Sequence, residues 1–253
     1  MTIVYHESVA TALVLSAGAL FAAWEVGVWK WLEPRFRPDL VVGASAGAWN
    51  AWAIAGGATA EELCRIWRDP QISRILQFGP HNTGLLRPDA LHIAAQEMFE
   101  SFRPRLPFAC TLVELPSLRL RLFRGSEITW RHLAAACSIP FGFPPVTIDG
   151  RRYVDGGLRG ALPLWAAEEM GATRAIAVNC LTSPMLAAVR LLFRAPQASR
   201  RLEVVRLEPA TNLGPLRDAL VWSAANIDRW IAQGERDAAA LLGKDLSGCG
   251  LTA

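Results

Sequence analysis

The segment Gly43-Ala44-Ser45-Ala46-Gly47 constrains this chain more than any other five residues. An apolar run, Leu40-Val41-Val42, precedes it, and Ala48 to Ala55 reads as helix. A serine between two near glycines at a strand-to-helix junction predicts a sharp, strained turn that lifts its hydroxyl clear of the backbone. Such a turn has no room for large neighbours, which fits the small residues at 43, 44, 46 and 47. The positive end of the following helix favours negative charge developing near Ser45.

The rest of the chain continues the alternation of strand and helix. Ala10–Leu15 reads as a buried strand, Ser16–Ala19 as a turn and Phe21–Leu32 as a helix. Glu25 and Lys30 interrupt this apolar stretch, so strand, turn and helix are expected here rather than a membrane span or signal peptide. Thr59-Ala60-Glu61-Glu62 is a capping box for a helix that stops at Asp69-Pro70. Residues 71–87 read as an irregular loop, and Pro88 opens a helix to about Phe102. Strands are expected at Phe108–Leu115 and Leu118–Arg124, and a helix near Glu127–Cys137. Val146–Ile148 and Tyr153–Val154 flank Asp149-Gly150, a two-residue hairpin turn. Leu164–Met170 reads as helix, and Ala175–Asn179 and Val204–Leu207 as inner strands. One last amphipathic helix is expected from about Pro215 to Leu242, ended by Gly243. The pattern argues an α/β sandwich with a mostly parallel sheet, and residues 1–253 read as a single domain.

Hydrophobic residues make up 52% of the chain, enough for a sizeable core, while a net charge of +3 is too small to imply nucleic acid as partner. Cys64, Cys110, Cys137, Cys180 and Cys249 show no C-x-x-C spacing and read as free thiols of a reducing compartment. The expected location is therefore cytoplasmic. A short basic amphipathic stretch, Met185–Arg201, suits peripheral contact with an anionic membrane, although a helix packed on its own domain accounts for it better.

A serine hydroxyl needs a base. His6, His81, His92 and His132 all fall in the first part of the chain, against the Ser–acid–His order of common α/β-hydrolases. His81 and His132 remain open as partners, with structural roles favoured for both. Asp155 in Tyr153-Val154-Asp155-Gly156-Gly157 is the better candidate. It stands at a strand end before two glycines that permit close approach, and partial desolvation there would raise its basicity. On its own, Asp-Gly-Gly is also an ordinary turn.

Taken in order, these residues resemble the patatin-like phospholipase family, whose members use a Ser–Asp dyad. Leu15–Leu32 is similar to the family's glycine-rich first loop and helix, and Gly43–Gly47 to its nucleophile motif. Ser138-Ile139-Pro140 with Phe143-Pro144-Pro145-Val146 is similar to the segment before the acid, and Val154–Leu158 to the D-G-G motif. The resemblance implies a three-layer α/β/α fold and hydrolysis of acyl esters, typically of lipids. It makes Ser45 the nucleophile and Asp155 the base, supported by Gly43, Gly47, Gly156 and Gly157, with no metal or cofactor. Oxyanion donors are implied at Ala17, Gly18 and Ala19.

The first loop departs from the family's G-G-G-x-R-G. Here Ala17, Gly18, Ala19, Leu20, Phe21 and Ala22 stand in those places. An alanine forced into left-handed angles costs roughly 1–2 kcal/mol. Arg159 is a candidate to replace the positive charge lost at position 21, with a solvated surface role as its alternative. Phe141, Phe143, Leu85 and Leu86 are candidates for an acyl groove. The expected function is a serine acyl hydrolase of lipid esters. An acyltransferase using the same dyad, or a catalytically weak lipid-binding or scaffold relative, are the alternatives.

Overall fold

The structure, a computed structural model, describes residues 10–81, 84–182 and 196–243. In chain order the elements are β1 (Thr11–Leu15), α1 (Ala22–Leu32), β2 (Leu40–Gly43), α2 (Ala46–Ala55), α3 (Ala60–Arg68) and α4 (Ile72–Ile75). There follow β3 (Phe78–His81), β4 (Gly84–Leu86), α5 (Pro88–Ser101), β5 (Phe108–Leu115), β6 (Arg119–Arg124) and α6 (Trp130–Ala136). The chain continues through β7 (Val146–Ile148), β8 (Arg151–Asp155), α7 (Leu164–Glu169), β9 (Arg174–Val178), β10 (Glu203–Leu207) and α8 (Ala224–Leu242).

Strands β10, β9, β1, β2 and β5 form a parallel core in that spatial order. Alternation along each strand divides the apolar residues between two faces. Leu13, Leu15, Val41, Phe108, Cys110, Ile176 and Val178 share one buried cluster with α1, α2, α3 and α8. Ala12, Val14, Leu40, Val42 and Ala109 face the other way, onto Ala166 and Ala167 of α7. The result is an α/β/α sandwich with a thick and a thin helical layer, as the alternation of elements predicts.

The antiparallel strands carry the topological point that matters for the site. Strand β6 pairs with β5 from Ala109 to Glu114 and takes one of its edges. Both β2 and β8 must therefore use the other edge. Strand β2 ends there with Gly43 opposite Cys110, and β8 arrives from the opposite direction with Asp155 opposite Leu112. Two strand ends thus meet head-on beside Thr111. Strand β8 is delivered by a two-residue hairpin, with Ile148 opposite Arg151 and positive φ at Asp149 (48°) and Gly150 (76°), the primed turn expected of Asp-Gly.

Two expectations need revision, and a third falls largely outside the described residues. The helix expected from Pro215 is divided into a 3-10 turn, Leu216–Leu220, and α8. Val221 is extended at the break, and the indole of Trp222 donates to the Trp67 carbonyl at 3.2 Å. The loop at 71–87 contains α4 and the β3–β4 hairpin. Most of Met185–Arg201 lies outside the described residues, and the described part, 196–201, forms no helix. Among the described residues no helix is long and apolar enough to cross a membrane.

Candidate active site

Sterics of the turn after β2 place Ser45. A Cβ at Gly43 would lie 2.4 Å from the Gly47 carbonyl oxygen, and one at Gly47 would lie 2.2 Å from that of Ser16. Ser45 itself adopts φ 55°, ψ −135°, a conformation L-residues avoid, held in place between fully buried β2 and the largely buried α2. The expected strained turn is present, and it aims the hydroxyl at the end of β8.

There the Ser45 hydroxyl donates to Asp155 Oδ2 at 2.6 Å, across 110 positions of sequence. The other carboxylate oxygen accepts the Gly157 amide at 2.7 Å. The Asp155 amide donates to the Ser138 carbonyl, which ties the acid to the Ser138–Pro145 segment. The two glycines after Asp155 make room. A Cβ at Gly156 would meet the Thr111 carbonyl oxygen at 2.0 Å, and one at Gly157 would meet the Ala17 methyl at 2.4 Å. Ser45 and Asp155 are 3% and 5% exposed. Burial pushes the Asp155 pKa up from 3.8 to about 7, against the opposing pull of its bonds from Ser45 and Gly157.

Neither described histidine side chain takes part in this arrangement. His132 accepts the Thr129 amide at Nδ1 in a helix cap and packs on Phe123, while His92 packs on Trp130. His6 and the side chain of His81 lie outside the described residues.

The first loop is held differently from the expectation. The Ala17 amide donates to the Ala161 carbonyl at 2.7 Å, so that N–H is spent and Ala17 is not a free oxyanion donor. The amides of Gly18 and Ala19 donate no hydrogen bond among the described residues. Ala19 has φ 47°, so the left-handed strain falls on one alanine of the loop, whereas Ala22 is helical at φ −63°. Gly18 cannot be replaced without moving Cys180, whose sulfur would lie 2.2 Å from a Cβ there. The Arg159 guanidinium donates to the Leu118 carbonyl in the β5–β6 turn, and Arg159 does not line the cavity at Ser45.

That cavity, of about 600 Å³, runs from Ser45 and Ala19 past Trp49, Ile75, Leu91, Ile139 and Phe143. Asp69, Gln71, Arg74 and Glu97 are also in its lining. Phe143 is in its wall, and buried Leu86 packs behind it. Phe141 and Leu85 do not line it: they are 91% and 60% exposed, and Phe141 sits at φ 68°. Composition marked these four as apolar without fixing which way each would turn. Sequence reasoning also missed Ser16, Glu25, Asn50 and Cys180, which form a buried polar cluster beneath the first loop. The signal was Glu25 itself, an acid inside an otherwise apolar run.

Among the described residues no group of His, Cys, Asp or Glu side chains is arranged to hold a metal ion. Fold and site together define an α/β/α protein that presents a strained serine to a buried carboxylic acid at the end of an apolar cavity. The sequence matches the family model for Patatin, described as Patatin-like phospholipase, over residues 13–168, and the chain belongs to that family. A search of curated protein sequences found no match. Among solved structures, VipD from Legionella pneumophila superposes with a TM-score of 0.60 at 12% identity, over 92% of this chain and 66% of that one. The type III effector protein ExoU gives a TM-score of 0.46 at 15% identity, over 92% of this chain and 52% of that one. The chain therefore spans between half and two thirds of the length of these proteins. The likeness to VipD is one of fold.

Proposed function

We propose that this protein hydrolyses lipid carboxylic esters through a Ser45–Asp155 dyad. The observation that carries the reading is the 2.6 Å hydrogen bond between two nearly buried side chains beside an apolar cavity. Ser45 Oγ attacks the ester carbonyl carbon while its proton passes to Asp155 Oδ2. The tetrahedral oxygen is held by the Gly18 and Ala19 amides. Collapse expels the alcohol, which takes the proton from Asp155 and leaves an acyl group on Ser45. Water then attacks the acyl carbonyl, Asp155 accepts its proton, and the proton returns to Ser45 as the fatty acid leaves. A carboxylate with a pKa near 7 is matched to both proton transfers at neutral pH, which an ordinary aspartate is not. The apolar lining supplies the contact for an acyl chain.

The test is a fluorophosphonate probe together with release of fatty acid from phospholipid and lysophospholipid. Wild type should be labelled and should release acid, and Ser45→Ala should do neither. An unlabelled wild type without turnover sinks the proposal and favours the lipid-binding alternative. Addition of a competing alcohol to the turnover assay separates transfer from hydrolysis by the product formed.

A further inference from the structure

We propose that Glu25 is a positioning residue for the ester chemistry, locking the Ser16–Ala19 loop to the helix that begins beside Ser45. The inference rests on the dyad reading above. Glu25 lies on α1 and is 1% exposed. Its Oε1 accepts the Ser16 amide at 2.9 Å and the Ser16 hydroxyl at 3.1 Å. Its Oε2 accepts Nδ2 of Asn50 at 3.1 Å. Asn50 is on α2, five residues beyond Ser45. Its amide is fixed in orientation, since Nδ2 also donates to the Ala22 carbonyl and Oδ1 accepts the Trp67 indole at 2.8 Å. Ser16 Oγ in turn accepts the Cys180 amide at 3.0 Å. One carboxyl group thus joins the end of β1, the first loop, α2 and the segment after β9.

Two further facts give this cluster a purpose beyond packing. The loop has alanine at 17 and 19, and Ala19 is held at φ 47°. Glycine would adopt that angle freely, whereas alanine must be held in it. The hold comes from beneath, through Ser16. Burying a carboxyl group is also costly, and that cost is offset here because Glu25 accepts from Ser16 and Asn50, donors that an apolar side chain would leave unpaired. Cys180 is the titratable side chain that contacts Glu25 among the described residues, and burial pushes its thiol up. Burial likewise pushes Glu25 up to about 8, against the opposing pull of the bonds from Asn50 and Ser16.

The experiment compares wild type, Glu25→Leu, Glu25→Gln, Ser16→Ala and Ser45→Ala. Turnover of p-nitrophenyl octanoate is normalised to sites that label to completion with fluorophosphonate. Octylboronic acid, which forms a charged tetrahedral adduct on a serine, and octanol, which does not, report binding without turnover. Glu25→Leu should lower kcat by about 10²-fold, the scale of a loop displaced by about 1 Å, with KM within about threefold. Its boronate affinity should fall by at least about tenfold while octanol affinity holds. Glu25→Gln keeps Oε1 for Ser16 but sets its Nε2 against Nδ2 of Asn50, donor facing donor, so kcat should lie between those of wild type and Glu25→Leu. If Glu25→Leu does not fold, Ser16→Ala is read instead; it removes the hydroxyl contacts and should lower kcat about fivefold at unchanged KM. Unchanged kcat, or equal loss of boronate and octanol binding, overturns the inference. Ester turnover by Ser45→Ala would instead overturn the dyad reading, whereas an inert Ser45→Ala beside a fully active Glu25→Leu removes only the role of Glu25.

Discussion

Replacing Asp155 with Asn should abolish turnover and at the same time stabilise the protein at neutral and alkaline pH. The substitution preserves shape and both hydrogen bonds. Oδ1 still accepts the Gly157 amide, and Nδ2 donates to Ser45 Oγ where the carboxylate accepted from it. What disappears is the proton equilibrium. Burial raises the pKa of Asp155 from 3.8 to about 7 in the folded protein. Between those values the unfolded chain has this carboxylate ionised and the folded chain has it protonated. The folded state then binds more protons, so stability falls as pH rises, by about 1.4 kcal/mol per pH unit. Over the window the loss is about 4 kcal/mol. Below 3.8 both states are protonated, and above 7 both are ionised, so the penalty is flat outside it. Asparagine has no such penalty. Urea unfolding of both proteins at pH 5 and pH 8 measures the effect, with a common slope confirming an unchanged unfolded state. Glu25 loses stability with pH in both proteins and cancels in the difference. The advantage of the Asn variant from this source should be about 1.6 kcal/mol at pH 5 and about 4 kcal/mol at pH 8. An advantage that does not grow with pH would show that Asp155 is not desolvated in the folded protein, and the account of its basicity would fail. The same ionisation should appear in wild-type kinetics, with kcat/KM rising tenfold per pH unit to about 7 and then levelling.

Other outcomes follow from the same geometry. Gly47→Ala places a methyl group 2.2 Å from the Ser16 carbonyl oxygen and should cost about 3 kcal/mol or more, read as a lower urea midpoint with loss of labelling. Ala19→Gly relieves the φ 47° alanine but loosens the unfolded chain, so stability should rise by only about 0.5 kcal/mol; a fall would show that the turn is unstrained. For p-nitrophenyl esters of increasing chain length, each methylene buried in the cavity should add about 0.8 kcal/mol, or about fourfold in kcat/KM, until the cavity is filled. A series that stays flat from acetate to decanoate would place the acyl chain elsewhere.

Local steric rules made much of this structure legible. The elbow at Gly43–Gly47 and the primed turn at Asp149-Gly150 depend on neighbours in sequence, and so does the capping box, in which the Glu62 amide donates to Thr59 Oγ1 at 3.2 Å. Features set by distant partners were not legible. Nothing near position 17 announces that its amide will be taken by Ala161, and nothing near 222 announces that its indole will be drawn to Trp67. The approach of Asp155 to Ser45 is of this second kind. It arises because β5 lends one edge to two strands running in opposite directions, a property of sheet topology that no short motif encodes.

That topology also bears on how a serine can do without histidine. A strand end that delivers a carboxylate directly to Ser45 leaves no space for an intervening imidazole, so in the proposed chemistry the acid must have the basicity that histidine would otherwise supply. Desolvation is the means at hand, and it requires the strand end to be closed in by protein. Gly156 against Thr111 and Gly157 against Ala17 bring the neighbouring backbone close enough to do so. The closure destabilises the fold, as do the backbone strain at Ser45 and the buried acid at position 25. Each of these unfavourable contributions is aimed at the same few ångströms. The strained turn aims the hydroxyl at Asp155, the buried Asp155 becomes basic, and Glu25 ties down the loop proposed to meet the oxyanion. Stability alone would favour glycine and asparagine at positions 45 and 155. Serine and aspartate there are what the proposed chemistry requires and what packing does not.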